Sequence, residues 1–194
     1  TVAAEVFGVK PSDVDPEMRR QIKAMSYGLA YGLSSYGLAA QLDLTPPAAQ
    51  DLMDKYFERF GGIRDYLTTV VDEARKNGYT ETIMGRRRYL PDLTSDNRIA
   101  REAAQRMALN APIQGSAADV IKKAMLSVQA ALEKGGFTSR LLLQVHDELI
   151  LEIVSSEEAA ITELVRKEMT GAYLLRTPLN VGIGIGKNWN EANH

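Results

Sequence analysis

Cysteine is absent from this chain of 194 residues, and histidine occurs only twice. Without thiols the chain has neither a disulfide nor a thiolate metal site, which is typical of proteins in the reducing cytoplasm. With two histidines, a histidine-rich metal centre is not expected either. No apolar run approaches the ~20 residues of a membrane-spanning helix. These absences predict a cytoplasmic protein that does not contact a membrane.

A surplus of positive charge is also missing. The formal net charge is −2, which excludes a generically basic nucleic-acid-binding protein. Any contact with nucleic acid must therefore come from local clusters of basic residues. Hydrophobic residues make up 45% of the chain, which is enough for the core of one domain or of two small ones.

Helical patterns occupy most of the chain, and strand patterns are concentrated near its end. The predicted helices cover residues 1–8, 16–33, 38–42, 46–60, 63–77, 97–134 and 156–174, with a break or a kink in the longest at Pro112. The predicted strands cover residues 79–83 and 87–90 in one hairpin, 139–145 and 149–154 in another, and 180–185. Helices followed by a small antiparallel sheet indicate an α+β fold.

One face of the helix that begins at Pro16 suggests a binding surface. Residues at successive four-residue steps share this face: Arg19, Lys23, Tyr27 and Tyr31. Two cations one turn apart lie roughly 5–6 Å from each other, which suits two phosphates of one polyphosphate. Two aromatic rings further along could stack on a planar base or on a sugar.

A second face of this helix has almost no side chains, because it consists of Ala24, Gly28 and Gly32. Each interior glycine costs a helix about 1 kcal/mol relative to alanine, so two of them indicate that another group approaches the backbone closely. The alternative for the whole helix is an ordinary amphipathic helix, with a solvated basic face and small residues packed against a neighbouring helix.

The segment QVHDELILE places acidic residues at the tip of an apolar hairpin. Turns this tight usually contain Asn-Gly or Asp-Gly rather than His146-Asp147. The adjacent carboxylates of Asp147 and Glu148 repel each other, and bound Mg²⁺ would relieve that repulsion. A solvent-exposed acidic turn is the alternative. In an extended segment these two carboxylates point to opposite faces, so a two-metal centre needs a further carboxylate from elsewhere in the fold.

A third segment carries hydrogen-bond donors on one helical face: Arg106, Asn110 and Gln114, together called the donor stripe. The minor groove presents acceptors on every base pair, so these donors could detect correct pairing without reading sequence. Capping and satisfaction of backbone groups around Pro112 is the alternative. Two basic clusters, 86–88 and Arg98 with Arg101, are either phosphate contacts or solvated surface.

Together these segments resemble family A DNA polymerases over essentially the whole chain. RRQIKAMSYGLAYG resembles motif B of that family, Arg-x3-Lys-x3-(Phe/Tyr)-Gly-x2-Tyr-Gly, and QVHDELILE resembles motif C. GRRRYLPDL and NAPIQGSAADVIK fit the family between these motifs. The resemblance implies a DNA-directed DNA polymerase that adds dNTPs to a primer 3′ end by two-metal transfer in replication and repair. It also implies a fingers subdomain at residues 1–95, and the remaining fingers-to-palm helices with a partial palm at 96–194.

The resemblance assigns roles to the helix that follows residue 15. Arg19 and Lys23 would hold the incoming triphosphate, and Lys23 is also a candidate general acid for the pyrophosphate leaving group. Tyr27 would pack on the nucleotide sugar; many family members have phenylalanine there, and tyrosine implies ready acceptance of dideoxynucleotides. Tyr31 would lie near the templating base, and Gly28 would give that base room.

The resemblance also assigns roles to the hairpin tip and to the donor stripe. Asp147 would be a Mg²⁺ ligand, and Glu148 an accessory carboxylate beside the primer end. His146 would approach the phosphates. The three residues of the donor stripe would contact the primer–template near its terminus.

Several parts of the family pattern are not in this sequence. Motif A, a strand with an essential aspartate, should lie before Thr1, and the thumb and any exonuclease domain are missing as well. We therefore expect an incomplete two-metal site and a chain that needs the remainder of its parent polymerase and is inactive alone. The palm sheet should also have an unpaired edge and exposed apolar surface beside residues 141–145, through which copies of the chain could associate.

Two other functions fit part of the pattern. A phage-type single-subunit RNA polymerase shares the spacing of motif B, but Glu148 directly after His146-Asp147 favours the DNA enzyme. A non-catalytic nucleotide- or DNA-binding module would need motifs B and C without motif A. Use of rNTPs by the intact parent would favour the first alternative, and an open reading frame limited to these residues would favour the second.

Overall fold

The computed structural model describes residues 2–192, with the side chain of residue 30 left out. Two compact units are present, one ending at Gly115 and the other beginning at Ser116. This division lies inside the longest helix, whereas the predicted boundary at residues 95 and 96 precedes that helix. The assignment of the two parts to fingers and palm stays a prediction.

The first unit is helical apart from one short hairpin. Its elements are α1 (Val2–Phe7), α2 (Pro16–Ala30), α3 (Ser35–Leu42), α4 (Pro46–Arg59), α5 (Gly61–Asn77), β1 (Tyr79–Glu81), β2 (Arg87–Tyr89) and the first part of α6 (Arg98–Gly135). The strands β1 and β2 pair antiparallel, with Tyr79 opposite Tyr89. The helix-and-hairpin order predicted from the sequence is confirmed in this unit.

Local capping explains where these helices begin and end. The Asp15 carboxylate accepts a hydrogen bond from the Met18 backbone N–H at 2.7 Å, directly before the proline that opens α2. Thr45 caps α4 in the same way, and Ser34 caps α3. Gly78 ends α5 with a left-handed φ of 83°. Each of these signals is contained in a few consecutive residues, so the sequence predicts it directly.

The apolar stripe of α2 is buried and fixes which face of the helix meets solvent. Ile22, Met25 and Leu29 are at most 7% exposed and belong to one cluster with residues of α1, α3 and α4. Full burial of such a side chain contributes about 1.5–3 kcal/mol. A second cluster joins α5 to the first part of α6 through Ala74, Leu90, Leu93, Ala104 and Ala108.

The second unit packs the end of α6 and one further helix against a hairpin. Its other elements are β3 (Arg140–Val145), β4 (Glu148–Glu152), α7 (Glu158–Thr170) and α8 (Trp189–Ala192). The strands β3 and β4 pair antiparallel with an irregularity between Leu141 and Leu143. Val128 and Ile161, both 0% exposed, are at the centre of the core. The α+β prediction is confirmed.

Two predictions about the second half of the chain need correction. Residues 180–185 do not form a strand, because a strand requires a partner ladder and β3 and β4 pair only with each other in the described residues. The Val181 carbonyl instead accepts a hydrogen bond from the Arg166 side chain at 3.3 Å. Of the break or kink predicted at Pro112, the break is wrong, since α6 continues through that residue, and the kink stays a prediction. Across residues 2–192, no helix combines the length and the apolar character that crossing a bilayer requires.

Candidate functional site

The solvent face of α2 carries the four side chains expected there. Arg19 and Lys23 are exposed, as are Tyr27, by 61%, and Tyr31, by 51%. Within the part of the chain that the structure describes, neither cation makes an ion pair or a side-chain hydrogen bond. A ligand phosphate could therefore bind these cations without breaking an existing ion pair.

Arg20 differs from its neighbour Arg19 although both are exposed. Its Nε and Nη2 donate to the two carboxylate oxygens of Glu17 at 2.7 and 2.6 Å. This hydrogen-bonded pair lowers the pKa of the Glu17 carboxyl and raises the pKa of the Arg20 guanidinium. The signal was present in the sequence, because Glu17 and Arg20 are three residues apart and such pairs meet on a helix surface.

The small-residue face of α2 is approached closely by the chain itself. A Cβ on Gly28 would lie 2.5 Å from Cδ2 of Leu33, and a Cβ on Gly37 would lie 2.6 Å from Cδ1 of the same leucine. Leu33 thus fits between two glycines where α2 meets α3. The predicted close approach at Gly28 is confirmed, whereas its role in giving a base room stays a prediction.

The end of α2 touches the donor stripe of α6. Gly32 has a left-handed φ of +70°, and a Cβ there would lie 3.0 Å from Cγ of Arg106. Next to it, the Tyr31 hydroxyl accepts a hydrogen bond from Nε2 of Gln114 at 2.6 Å. Sequence patterns gave Tyr31 and Gln114 separate roles and contained no signal for this contact.

The donor stripe itself faces away from the core. Arg106 and Gln114 are exposed and Asn110 is half-buried, while Ala104 and Ala108 on the opposite side of α6 are buried. Among residues 2–192, no side-chain hydrogen bond involves Asn110. The stripe therefore presents amide and guanidinium donors outward, as a minor-groove contact requires.

A groove of about 290 Å³ separates the donor stripe from the β1–β2 hairpin. Arg87 on its rim is engaged: Nε donates to Glu81 at 2.6 Å, and the guanidinium lies 4.5 Å from the centre of the Tyr79 ring. The hydrogen bond to Glu81 is the main cause of the raised pKa of Arg87. Arg88, by contrast, makes no ion pair with any described residue. Of Arg87 and Arg88, it is therefore Arg88 that remains available to bind a phosphate.

The second basic cluster is used within the chain. Arg98 Nε donates to Glu102 at 2.6 Å, one turn later in α6. Arg101 Nη1 donates to the Ser95 carbonyl at 2.6 Å. These contacts stabilise the beginning of α6, where Asn97 Oδ1 also accepts the Ile99 N–H at 2.9 Å. Both arginines thus have a partner within the chain, and a phosphate contact by Arg98 or Arg101 stays a prediction.

The acidic turn closes the β3–β4 hairpin with two residues between the last pair, Val145 and Glu148. His146 has a left-handed φ of 53°, a conformation that costs a non-glycine residue roughly 1–2 kcal/mol. Gln144 Nε2 donates to the His146 carbonyl at 3.0 Å. Asp147 and its two neighbours are exposed. Backbone strain of this kind is concentrated at functional sites in proteins.

The donor chemistry of this turn fits a hard cation, but the set of ligands is small. Asp147 lies in the turn and Glu148 is the first residue of β4, so two carboxylates are adjacent in the chain. Over the described range, no group of three or more His, Asp or Glu side chains could hold a metal ion. Mg²⁺ takes carboxylate oxygens and keeps several waters, so Asp147 could bind it together with carboxylates from outside this group.

At the end of this hairpin opposite the turn, the Glu157 carboxylate binds the residues that precede β3. Its Oε1 accepts the Thr138 N–H at 3.0 Å, and its Oε2 accepts the Ser139 N–H at 2.9 Å and the Ser139 hydroxyl at 2.6 Å. Ser139 Oγ in turn accepts the Val154 N–H at 2.9 Å. These hydrogen bonds, that of the Ser139 hydroxyl first, lower the pKa of Glu157. The residues that hold the hairpin in register were not found from the sequence.

Known proteins resemble this chain over nearly its full length. The family model described as DNA polymerase family A matches residues 1–191. DNA polymerase I of Mycobacterium leprae (strain TN) is 56% identical, over 100% of this chain and 21% of that protein. DNA polymerase I of Bacillus caldotenax is 47% identical, over 98% of this chain and 22% of that protein.

A solved structure shares the fold. It is the POL domain of Pol1 from M. smegmatis in complex with DNA primer-template and dNTP, and the match has a TM-score of 0.96 at 57% identity. The match covers 100% of this chain and 34% of that chain. The present chain thus spans about a fifth of the length of the curated relatives it matches.

Proposed function

Because this chain belongs to DNA polymerase family A, we propose that it acts as part of a DNA-directed DNA polymerase that extends a primer 3′ end with dNTPs in replication and repair. The family membership confirms the resemblance of motifs B and C. The observation that carries the proposal is the exposed face of α2, where two cations that make no ion pair with any described residue precede two exposed tyrosines. Neither an RNA polymerase nor a non-catalytic module is favoured by the known relatives.

The α2 face is proposed to bind the incoming nucleotide. Arg19 and Lys23 would neutralise the triphosphate, and charge-assisted hydrogen bonds of this kind are worth about 1.5–3 kcal/mol each. The Lys23 ammonium would also donate a proton to the leaving pyrophosphate. Tyr27 would pack on the sugar, with its hydroxyl replacing the missing 3′-hydroxyl of a dideoxynucleotide. Tyr31 would lie beside the templating base, and Gly28 would leave that base room.

The acidic turn is proposed to serve the metal centre. Asp147 would ligate Mg²⁺, Glu148 would assist beside the primer end, and His146 would contact phosphate oxygens. The metal, when bound, stabilises charge on the transferring phosphoryl group. At least one further carboxylate is needed, and we propose that another part of the parent polymerase supplies it. The 194-residue chain alone is then expected to bind ligands without polymerising.

The donor stripe is proposed to contact the primer–template near its terminus. Arg106, Asn110 and Gln114 can donate to the minor-groove acceptors that every correct base pair presents. Arg88, on the rim of the neighbouring groove, would contact a backbone phosphate. DNA and dNTP are the molecules bound in the solved M. smegmatis complex, which supports both partners.

The remaining partners are proposed from exposed surface. Leu142 and Leu143 of β3 are 49% and 54% exposed, and the remainder of the parent polymerase would cover them. Association between copies of the chain through this hairpin is the alternative, and sedimentation of the chain over a concentration series separates the two. A cytoplasmic location is proposed for the parent polymerase, because bacterial DNA is found there.

Primer extension tests the proposed function. The full-length polymerase is supplied with a matched primer–template, Mg²⁺ and either dNTPs or rNTPs. We expect template-directed addition of dNTPs, ready incorporation of dideoxynucleotides, and stronger discrimination against dideoxynucleotides in Tyr27→Phe. A preference for rNTPs would instead indicate an RNA polymerase. Tight binding of DNA without any addition would indicate a non-catalytic module.

A further inference from the structure

We propose that the hydrogen bond between Tyr31 and Gln114 couples detection of a mispaired primer terminus to addition of the next nucleotide. Tyr31 is, in this proposal, a positioning residue for the Gln114 amide. The inference rests on the proposed function, because it gives the donor stripe a minor-groove contact and gives Tyr31 a place beside the templating base. The new element is the direct link between these two positions.

The geometry lets Gln114 contact Tyr31 and a base at the same time. Nε2 donates one of its two N–H groups to the Tyr31 hydroxyl at 2.6 Å. The second N–H and the amide carbonyl remain for another partner. The hydrogen bond therefore orients the amide without using up its donors. A side chain that is already oriented loses less conformational entropy when it binds a base.

The position of Tyr31 is itself fixed against α6. Its backbone N–H donates to the Gly28 carbonyl at 3.0 Å, at the last turn of α2. The next residue, Gly32, is so close to α6 that a Cβ there would lie 3.0 Å from Cγ of Arg106 and 3.1 Å from Cδ1 of Leu109. A displacement of Gln114 must therefore break its bond to Tyr31 or disturb the end of α2.

The other two members of the donor stripe lack this link. Arg106 meets α2 through its aliphatic carbons at Gly32, and no hydrogen bond involves the Asn110 side chain anywhere in residues 2–192. Asn110 lies one turn before Gln114 on the same face and is also an amide. It therefore provides a matched control, with the same chemistry and without the contact to α2.

Through this hydrogen bond, the loss of kcat/KM that a mispaired primer terminus causes depends on Tyr31. Correct base pairs of every sequence place minor-groove acceptors at nearly the same positions, so the Gln114 amide can keep both of its hydrogen bonds. A mispaired terminus displaces those acceptors. Gln114 then either loses the base or follows it and gives up the Tyr31 hydroxyl, which changes the surroundings of the templating base before the next dNTP arrives.

A double-mutant cycle in the full-length polymerase tests this coupling. The measured quantity is the ratio of kcat/KM for the next correct dNTP on matched and on mismatched primer termini. We expect Tyr31→Phe, which keeps the ring, to lower that ratio roughly 3- to 10-fold, the range of one net hydrogen bond. In a Gln114→Ala background the same substitution should change the ratio less than 2-fold, whereas in an Asn110→Ala background its full effect should persist.

Two outcomes would contradict the proposal. If Tyr31→Phe lowers the ratio by the same factor with and without Gln114, the two residues act independently and the proposal is wrong. An unchanged ratio in the single Tyr31→Phe variant also overturns it. Thermal melting of each variant shows that folding is intact. If the wild-type polymerase adds no dNTP to either primer, the proposed function has failed rather than the coupling alone.

Discussion

The solvent face of α2, which we propose to bind the nucleotide, and the acidic turn of the β3–β4 hairpin are built in different ways. On α2, one capped helix and its C-cap residue supply the four side chains predicted for this face, and the buried stripe of Ile22, Met25 and Leu29 turns them to solvent. At the turn, Asp147 is also exposed, but the described residues contain no group of three or more His, Asp or Glu side chains that could hold a metal ion. A single helical segment can supply all the side chains of a binding face, whereas a metal centre usually needs carboxylates from several segments of the chain.

The structural support of the two regions differs as well. In the first region, the Leu33 side chain of the same unit occupies the space next to Gly28 of α2. The turn has a strained residue at its tip, His146, and a carboxylate at its root, Glu157, which holds the strand ends together. The first region depends on packing, and the second on polar contacts that respond to pH.

The largest effect is expected at the turn. In the full-length polymerase, Asp147→Asn should lower kcat by about 10³-fold or more, because loss of a metal ligand removes several kcal/mol of transition-state stabilisation. Single-turnover primer extension at saturating dNTP measures it. Asp65→Asn, at another exposed aspartate, is the control and should stay near the wild-type rate. Activity of Asp147→Asn within tenfold of wild type would exclude Asp147 as a metal ligand.

A smaller effect, on the free energy of unfolding, is expected when a glycine that is packed against a side chain is replaced by alanine and compared with a glycine that is not. Gly28→Ala forces Leu33 to move, and overpacking costs about 1–3 kcal/mol, more than the roughly 1 kcal/mol that alanine gains in helix propensity. Gly61→Ala, where a Cβ would meet nothing within 4 Å, should stabilise the chain slightly. Urea unfolding measures both changes. Equal stabilisation by the two substitutions would show that Leu33 does not limit the space at Gly28.

The smallest effect concerns pH and the hairpin root. The pKa of Glu157 is lowered in the folded chain, so its contribution to stability is present above the ordinary value of 4.5 and is lost as pH falls through the folded pKa. The melting temperature of Glu157→Gln should therefore lie below that of wild type at pH 7, and the difference should shrink as the pH falls below 4.5 and through the lowered pKa of Glu157. A difference that is constant with pH would contradict the role of the charged carboxylate.

The sequence allows most local structure to be predicted, because its causes are local. Asp15 before a proline predicts the start of α2, and Gly78 predicts the end of α5. The failed strand at residues 180–185 shows the limit of this reasoning. The apolar pattern of these residues is typical of a strand, but strand formation depends on a partner that the pattern does not contain.

The residues of the candidate site also differ in whether the sequence predicts them. Arg19, Lys23 and the donor stripe could be located from their spacing, since residues at four-residue steps share a helix face. The hydrogen bond from Gln114 to Tyr31 joins residues 83 positions apart, and no spacing predicts it. The contacts of Glu157 were missed for the same reason. Contacts between side chains distant in sequence follow from tertiary packing alone.

We propose that Arg19 belongs to a triphosphate-binding face whose side chains all come from this chain. The most direct measurement is calorimetric titration of the 194-residue chain with a dNTP, comparing Arg19→Ala with Arg20→Ala. Arg20 is already paired with Glu17 at 2.6 Å, so its loss should change the dissociation constant less than about 2-fold. Arg19→Ala should weaken binding roughly 10- to 100-fold. Equal effects of the two substitutions, or no effect of either, would show that Arg19 does not bind the triphosphate.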